Sequence, residues 1–235
     1  MTPPTDIVIP VRSTIEFPTV DVFTTCIKSV CDNTQNFRFI IVDDNSTYKD
    51  SEEIARLVSH YRNALYIRTH FQNWFTRAVN IGLRLVRTPY AVVLNSDTIC
   101  HPGWLFELYA VKDEIEETIG RVGLVGSTYS EGELKRYALS MGQDYVTGHA
   151  LLLHMAAMQE ASYTHGTPGL YLDETSALNI HIRSDVDICW KLNRLGWQTV
   201  KSFKSHVDHH GFKSWGAQVG RVQQLRLEDV SYRYE

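Results

Sequence analysis

Ala91–Leu105 reads AVVLNSDTICHPGWL, an apolar run that breaks at Asn95 and delivers a lone carboxylate, Asp97, between two hydroxyl residues. A short continuous apolar run closed by polar turn residues reads as a strand buried on both faces. The same design recurs upstream. DIVIPV (6–11) is a β-rich run around Pro10, FRFIIVDDNS (37–46) ends in Asp43 and Asp44, and ALYIRT (64–69) is a further strand. Apolar residues at helical spacing fill the intervals: Val20, Phe23, Ile27 and Val30; then Ile54, Leu57, Val58 and Tyr61; then Phe75, Val79, Leu83 and Val86. The second of these segments, SEEIARLVSHYRN, carries its acids early, as the helix dipole prefers. Up to Asp97 the order is βαβαβαβ, which predicts an α/β fold with a mostly parallel sheet flanked by helices. Ligands of such sheets bind outside the carboxyl ends of the strands, where Asp43, Asp44 and Asp97 all fall.

Bulk properties narrow the chemistry. A chain of 235 residues suits a single domain with a sizeable core. Its formal net charge of -4 argues against a nucleic-acid binder that works through phosphate contacts. No apolar run approaches the roughly 20 residues of a membrane span, and MTPPTDIVIPVRS lacks the pattern of a signal peptide, so a soluble, cytoplasmic protein is expected. Cys26, Cys31, Cys100 and Cys189 form no CxxC pair and are expected as reduced thiols. Neither GxGxxG nor GxxxxGK[ST] is present to cradle phosphates. A site without such a loop can neutralise a diphosphate with a divalent ion held by a carboxylate.

Two later segments admit two readings each. In SDVDICWKLNRLGW (184–197), Ser184 and Asp187 have the spacing of a capping box, with Ile188, Leu192 and Leu195 as the apolar face and Gly196 as the stop. An acid just inside a helix start is also rigidly held and suited to act as a general base. In SHVDHHG (205–211), His206, His209 and His210 accompany Asp208, and imidazole suits zinc, although the spacing is that of no zinc finger. Met141 to Leu153 reads as a strand, and VQQLRLEDVSYRYE (222–235) as a short surface helix. The weakly periodic stretches 126–143 and 160–183 have the length of substrate-covering loops. Trp190, Trp197 and Trp215 read as packing residues, with Trp215 able to cover a sugar face.

Taken in order, IVIPV, IIVDDNST, NWFTRAVNIGL, VVLNSDT with PGWL, VTGHALLL, YLDE, SDVDICWKLNRLGW and VDHHGFKS resemble the motifs of inverting family 2 glycosyltransferases, most closely the rhamnosyltransferase-like branch. The resemblance runs from Asp6 to about Ser214. It implies a GT-A fold: a Rossmann-like, mostly parallel central sheet in one domain, with a nucleotide-sugar half (1–97), an acceptor half (98–215) and a tail (216–235). It implies a UDP- or dTDP-sugar donor, a glycan or other hydroxyl acceptor, and Mn²⁺ or Mg²⁺. Pro10, Val11 and Arg12 would line the nucleotide pocket, and Asp43 or Asp44 would accept from the pyrimidine or ribose. Asn73, Arg77 and Asn80 would lie beside base and diphosphate, with Arg77 the natural phosphate partner. Asn95, Ser96 and Asp97 stand at the family's DxD, leaving Asp97 to reach the metal, with His209 completing its shell or touching the diphosphate. Asp185 falls at the position of the base, with Asp187 the other candidate. Three departures accompany these matches: NSD replaces DxD, the helix after Asn73 lacks an early glycine, and Ser184 replaces the acid before the base. A nucleotidyltransferase and a catalytically silent binding module are the rival readings.

Overall fold

The computed structural model describes residues 2–140, 145–164, 171–174 and 184–210. In chain order the elements are β1 (Thr5–Val11), α1 (Val20–Asn33), β2 (Phe37–Asp43), α2 (Tyr48–Ser59), β3 (Ala64–Arg68), α3 (Trp74–Leu83), β4 (Tyr90–Leu94), β5 (Thr98–Cys100), α4 (Trp104–Thr118), β6 (Val122–Ser127), β7 (Tyr137–Leu139), β8 (Ala150–His154), α5 (Met155–Thr164), α6 (Ser184–Arg194), β9 (Gln198–Ser202) and β10 (Val207–His209). Eight strands form the central sheet in the order β3-β2-β1-β4-β8-β6-β9-β7, and β10 pairs with β5 in a separate ribbon. The expected parallel half is present: β1 pairs in parallel with β2 and β4, and β2 with β3. Beyond β4 the sheet becomes mixed, because β8 runs antiparallel to both β4 and β6.

Alternation along the strands divides the core between the two faces. Ile7, Ile9, Phe39, Ile41, Val92 and Leu94 pack with α1, α2 and α4, while Val8, Ile40, Val42, Ala91 and Val93 pack with α3, α5 and α6. Every residue of β1 is buried, which is why it shows no polar alternation. Helix α3 lies so close to the sheet that a Cβ on Gly82 would stand 2.3 Å from Val8 Cγ1. Trp104 anchors α4 from a fully buried position, its indole N–H donating to Thr34 Oγ1 at 2.9 Å.

Some boundaries differ from the sequence reading. The strand expected over Met141–Leu153 begins only at Ala150; residues 146–149 approach it as a loop, and 141–144 lie outside the described residues. Most of the stretch 165–183, with Trp215 and the tail, also lies outside them. Residues 155–164, overlapping the second expected loop, form α5 instead. No described helix is long and apolar enough to cross a membrane, and all four cysteines are free thiols.

Candidate active site

Strand β4 ends at Leu94 and hands its carboxyl end to Asn95–Ser96–Asp97. The turn is pinned from several sides. Thr98 Oγ1 donates to the Asn95 carbonyl at 2.8 Å, the Asn95 amide donates to the His149 carbonyl at 2.9 Å, and the Cys26 thiol approaches the Asn95 carbonyl at 3.6 Å. Burial pushes that thiol up to about 11, which leaves it a packing group and not a nucleophile. The ribbon brings in the other ligand: the His210 amide bonds the Asp97 carbonyl at 2.9 Å, and His209 Nε2 stands 3.2 Å from Asp97 Oδ1.

Asn95 and Asp97 thus meet His209, 114 residues beyond Asn95 in sequence, at one point. Asn95 Nδ2 lies 3.1 Å from the same His209 Nε2. One imidazole nitrogen cannot accept from the Asn95 amide and donate to the Asp97 carboxylate at once. Asn95 Oδ1, moreover, is buried without a hydrogen-bond partner. A carboxylate, an imidazole and an unsatisfied amide oxygen are a donor set that fits a divalent cation, which would use the lone pairs of Asp97 and His209 together. Ser96, between Asn95 and Asp97, is buried in the turn.

His149 is a member of the site that sequence reading did not single out. Its ring stacks on His209, with centroids 5.3 Å apart and planes 10° apart. Burial, reinforced by the neighbouring His209, lowers its pKa to about 4, so it is neutral at neutral pH. The preceding residue leads to the opposite wall: the Gly148 amide donates to Asp185 Oδ2 at 3.2 Å. Gly148 packs directly against that side chain: a Cβ there would lie in van der Waals contact, 3.4 Å from the Asp185 Cβ and Oδ2 atoms.

Asp185 occupies the first turn of α6, its Oδ1 accepting from the Val186 amide at 2.9 Å. Burial raises its pKa to about 6, against the partial opposition of these backbone donors. Asp187, two residues on, is paired with Lys191 at 2.7 Å within the helix. One acid is therefore tied to a lysine, while the other faces the glycine of the 146–149 loop.

The acids after β2 are arranged differently. Asp43 is wholly buried; Oδ1 accepts from the Ser46 amide at 2.9 Å, and Oδ2 accepts from Ser51 Oγ and Tyr66 OH, each at 2.6 Å. Asp44 Oδ1 accepts from the Asn73 amide at 2.6 Å and Oδ2 from the Trp74 amide at 2.8 Å, so it caps α3. Trp74 sits at φ 65°, a left-handed conformation that a bulky residue rarely adopts, held by that bond. Asn73 directs its side-chain amide to Asp44 Oδ1 and the Phe71 carbonyl.

Asp43 and Asn80, both expected as donor contacts, have their side chains engaged inside the fold. Asn80 is wholly buried, donating to the Leu172 carbonyl at 2.8 Å and to Glu174 Oε1 at 3.1 Å while accepting from the Leu172 amide at 2.9 Å. Arg77, expected on a phosphate, pairs with Glu174 at 3.0 Å. At the end of β1, Pro10 and Val11 are buried within the sheet, and the half-buried Arg12 donates to the Asp44 carbonyl at 3.0 Å.

Comparison with known proteins agrees with this architecture. Residues 6–160 match the family model described as Glycosyl transferase family 2, and the chain belongs to that family. Its architecture is the GT-A fold. Among solved structures it resembles S. aureus TarS 1-349, with a TM-score of 0.62 at 13% identity, covering 85% of this chain and 58% of that one. It also resembles the mannosyltransferase PcManGT from Pyrobaculum calidifontis, solved in complex with GDP-Man and Mn2+, with a TM-score of 0.65 at 12% identity, covering 94% of this chain and 61% of that one. The chain thus spans about three fifths of either neighbour's length. No curated protein matches its sequence.

Proposed function

We propose that the chain is an inverting glycosyltransferase that moves a sugar from a nucleoside-diphosphate donor, UDP- or dTDP-linked, to a hydroxyl of a glycan or other acceptor. The observation that carries this reading is the loop 146–149, which joins two chemically distinct carboxylates. On one side His149 meets Asn95 and the Asp97–His209 pair; on the other Gly148 meets Asp185. Inverting transfer needs this division, a cation holder for the leaving diphosphate and a separate base for the incoming hydroxyl.

Asp97, His209 and Asn95 Oδ1 are the groups that would hold Mn²⁺ or Mg²⁺. When bound, the ion supplies positive charge against the departing diphosphate. Asp185 takes the proton of the acceptor hydroxyl as its oxygen attacks the anomeric carbon. Attack comes from the face opposite the leaving group, so configuration inverts and no enzyme nucleophile is needed. The pKa of about 6 suits a base that is ionised at neutral pH yet still a competent proton acceptor. His149, held neutral, positions His209. Arg12, Pro10, Val11 and Asp44 form the rim nearest the nucleotide, with Arg12 the side chain best able to turn outward.

The test is turnover. With Mn²⁺ and a panel of nucleotide sugars and acceptors, the chain should release nucleoside diphosphate, and chelation or Asp97→Ala should abolish the release. NMR of the product should show inverted anomeric configuration. Tight donor binding with no release under any condition would identify a silent binding module, and release that survives chelator would remove the cation from the scheme.

A further inference from the structure

The outer side of the β5–β10 ribbon carries a second set of ligating atoms. Its register pairs Val207 with Cys100, Asp208 with Ile99 and His209 with Thr98. Alternation places Asp208 on the side opposite Val207 and His209. Cys100 and Val207 are buried, so the other face looks outward. One rung further the His101 amide donates to the His206 carbonyl at 3.0 Å, which brings those two histidines together on Asp208's side.

His101 Nε2 lies 2.7 Å from Asp208 Oδ2, and His206 Nε2 lies 3.1 Å from Asp208 Oδ1. One ligating atom from each of the three residues falls within 4.8 Å of the others, and among the described residues no other three such side chains converge this way. Nothing in the transfer chemistry uses them. We propose that His101, His206 and Asp208 form a second cation site, for a zinc-class ion, separate from the site at Asp97 and His209.

The chemistry selects the ion. Two imidazoles with one carboxylate suit Zn²⁺, whereas Mg²⁺, Mn²⁺ and Ca²⁺ favour oxygen shells. Three protein ligands leave a fourth tetrahedral position for water, and the side chains of His101, His206 and Asp208 are 34%, 31% and 51% exposed, open to solvent. The two imidazoles stack at 3.7 Å and 11°, and His206 stacks on Tyr129 at the same spacing. An ion cannot lie in both parallel ring planes, so one ring tilts from the stack as the ion enters, and the outer ring of the stack, His101, is the freer to do so. Once bound, the ion joins β5 to β10. Because His209 follows Asp208 directly, the ribbon that presents His209 to Asp97 becomes stiffer.

Co²⁺ reports the site optically. Titrating the metal-free full chain with Co²⁺ at neutral pH should produce the visible d–d absorption of a four-coordinate ion, displaced by Zn²⁺. His101→Gln should weaken Co²⁺ binding by about tenfold or more, on the scale of losing a metal-site partner, and His101→Gln with His206→Gln should abolish the signal. Asp97→Ala should leave it intact. Anomalous scattering at the zinc edge from wild-type crystals soaked in Zn²⁺ gives the same answer without a variant, as a peak between the two imidazoles and Asp208. Absence of absorption and of that peak in the wild type, survival of the signal in the double variant, or its loss in Asp97→Ala would each overturn the proposal. None of these readouts depends on glycosyl transfer, so they stand or fall apart from the proposed reaction.

Discussion

Two clusters of acid stand on the same rim of the sheet and are treated in opposite ways. After β2, Asp43 and Asp44 are sealed in, their oxygens taken by backbone amides, Ser51 and Tyr66. After β4 and at the start of α6, Asp97 and Asp185 have fewer partners, and beside them lie a buried orphan oxygen on Asn95 and a histidine nitrogen asked for two roles. A carboxylate whose lone pairs are filled stabilises the fold; one left short is available for a ligand or a proton. The contrast is measurable, because substitution should cost stability at the first cluster and turnover at the second.

The largest effect is expected at Asp185. Asp185→Asn should lower transfer by about 10²–10⁴-fold, the range of general-base catalysis, without unfolding the protein. Wild-type turnover should rise with pH through about 6 as the carboxyl ionises, and the residual rate of the variant should lose that limb. Stability moves the other way. The folded carboxyl titrates near 6 against an ordinary 3.8, so its stabilising effect is complete below that ordinary value and is lost as pH rises through 6. At neutral pH the variant should therefore be more stable than wild type, on the order of 1–2 kcal/mol, since raising a pKa by one corresponds to about 1.4 kcal/mol and the amide keeps only part of the hydrogen bonding. Chemical denaturation at pH 5 and pH 7.5 checks the sign. Full activity in the variant would dissolve the contrast and send the search for the base to Asp187.

Asp43 provides the opposite limb. Asp43→Ala strands the Ser46 amide and the Ser51 and Tyr66 hydroxyls in a buried site and should cost about 3 kcal/mol. For a domain of this size that is roughly 6–12 °C in Tm, read by calorimetry. Donor KM and kcat per folded molecule should stay near wild type. A variant with unchanged Tm and lost donor affinity would make the β2 end a binding site after all.

How much of this could be read in advance depended on where the partner lay. The parallel half was legible because strands buried on both faces show unbroken apolar runs, as in β1, where every residue is buried. Asp97 and Asp185 were legible as positions, at a strand end and a helix start. Their difference from Asp43 was not, because Asn-Ser-Asp and Asp-Asp-Asn-Ser look alike as turn chemistry until the number of bonds is known. His149 lay in an apolar run with no spacing to mark it, and only its stacking on His209 reveals it. The pairing of Asn80 and Arg77 was hidden for the same reason. Their partner Glu174 lies 94 residues beyond Asn80, and no local pattern carries a contact at that range. Helix α4 gave weak contrast because Phe106, 54% exposed, interrupts its polar face.

Arg77 offers the smallest and most delicate test of the contrast. In the structure its guanidinium is held by Glu174 on the outside of α3, and the side chain is 44% exposed. Exposed ion pairs contribute at most about 1 kcal/mol, so Arg77→Gln should lower Tm by only about 2–4 °C. If the pairing describes its role, donor KM should move by less than about threefold, under 1 kcal/mol of binding energy. A tenfold rise in KM at unchanged kcat would mean that the guanidinium leaves Glu174 for the diphosphate once donor arrives. Glu174→Gln separates the outcomes further. Releasing a phosphate-binding arginine should lower donor KM, whereas releasing a scaffold arginine should leave KM where it was and loosen only the anchorage of residues 171–174 on α3.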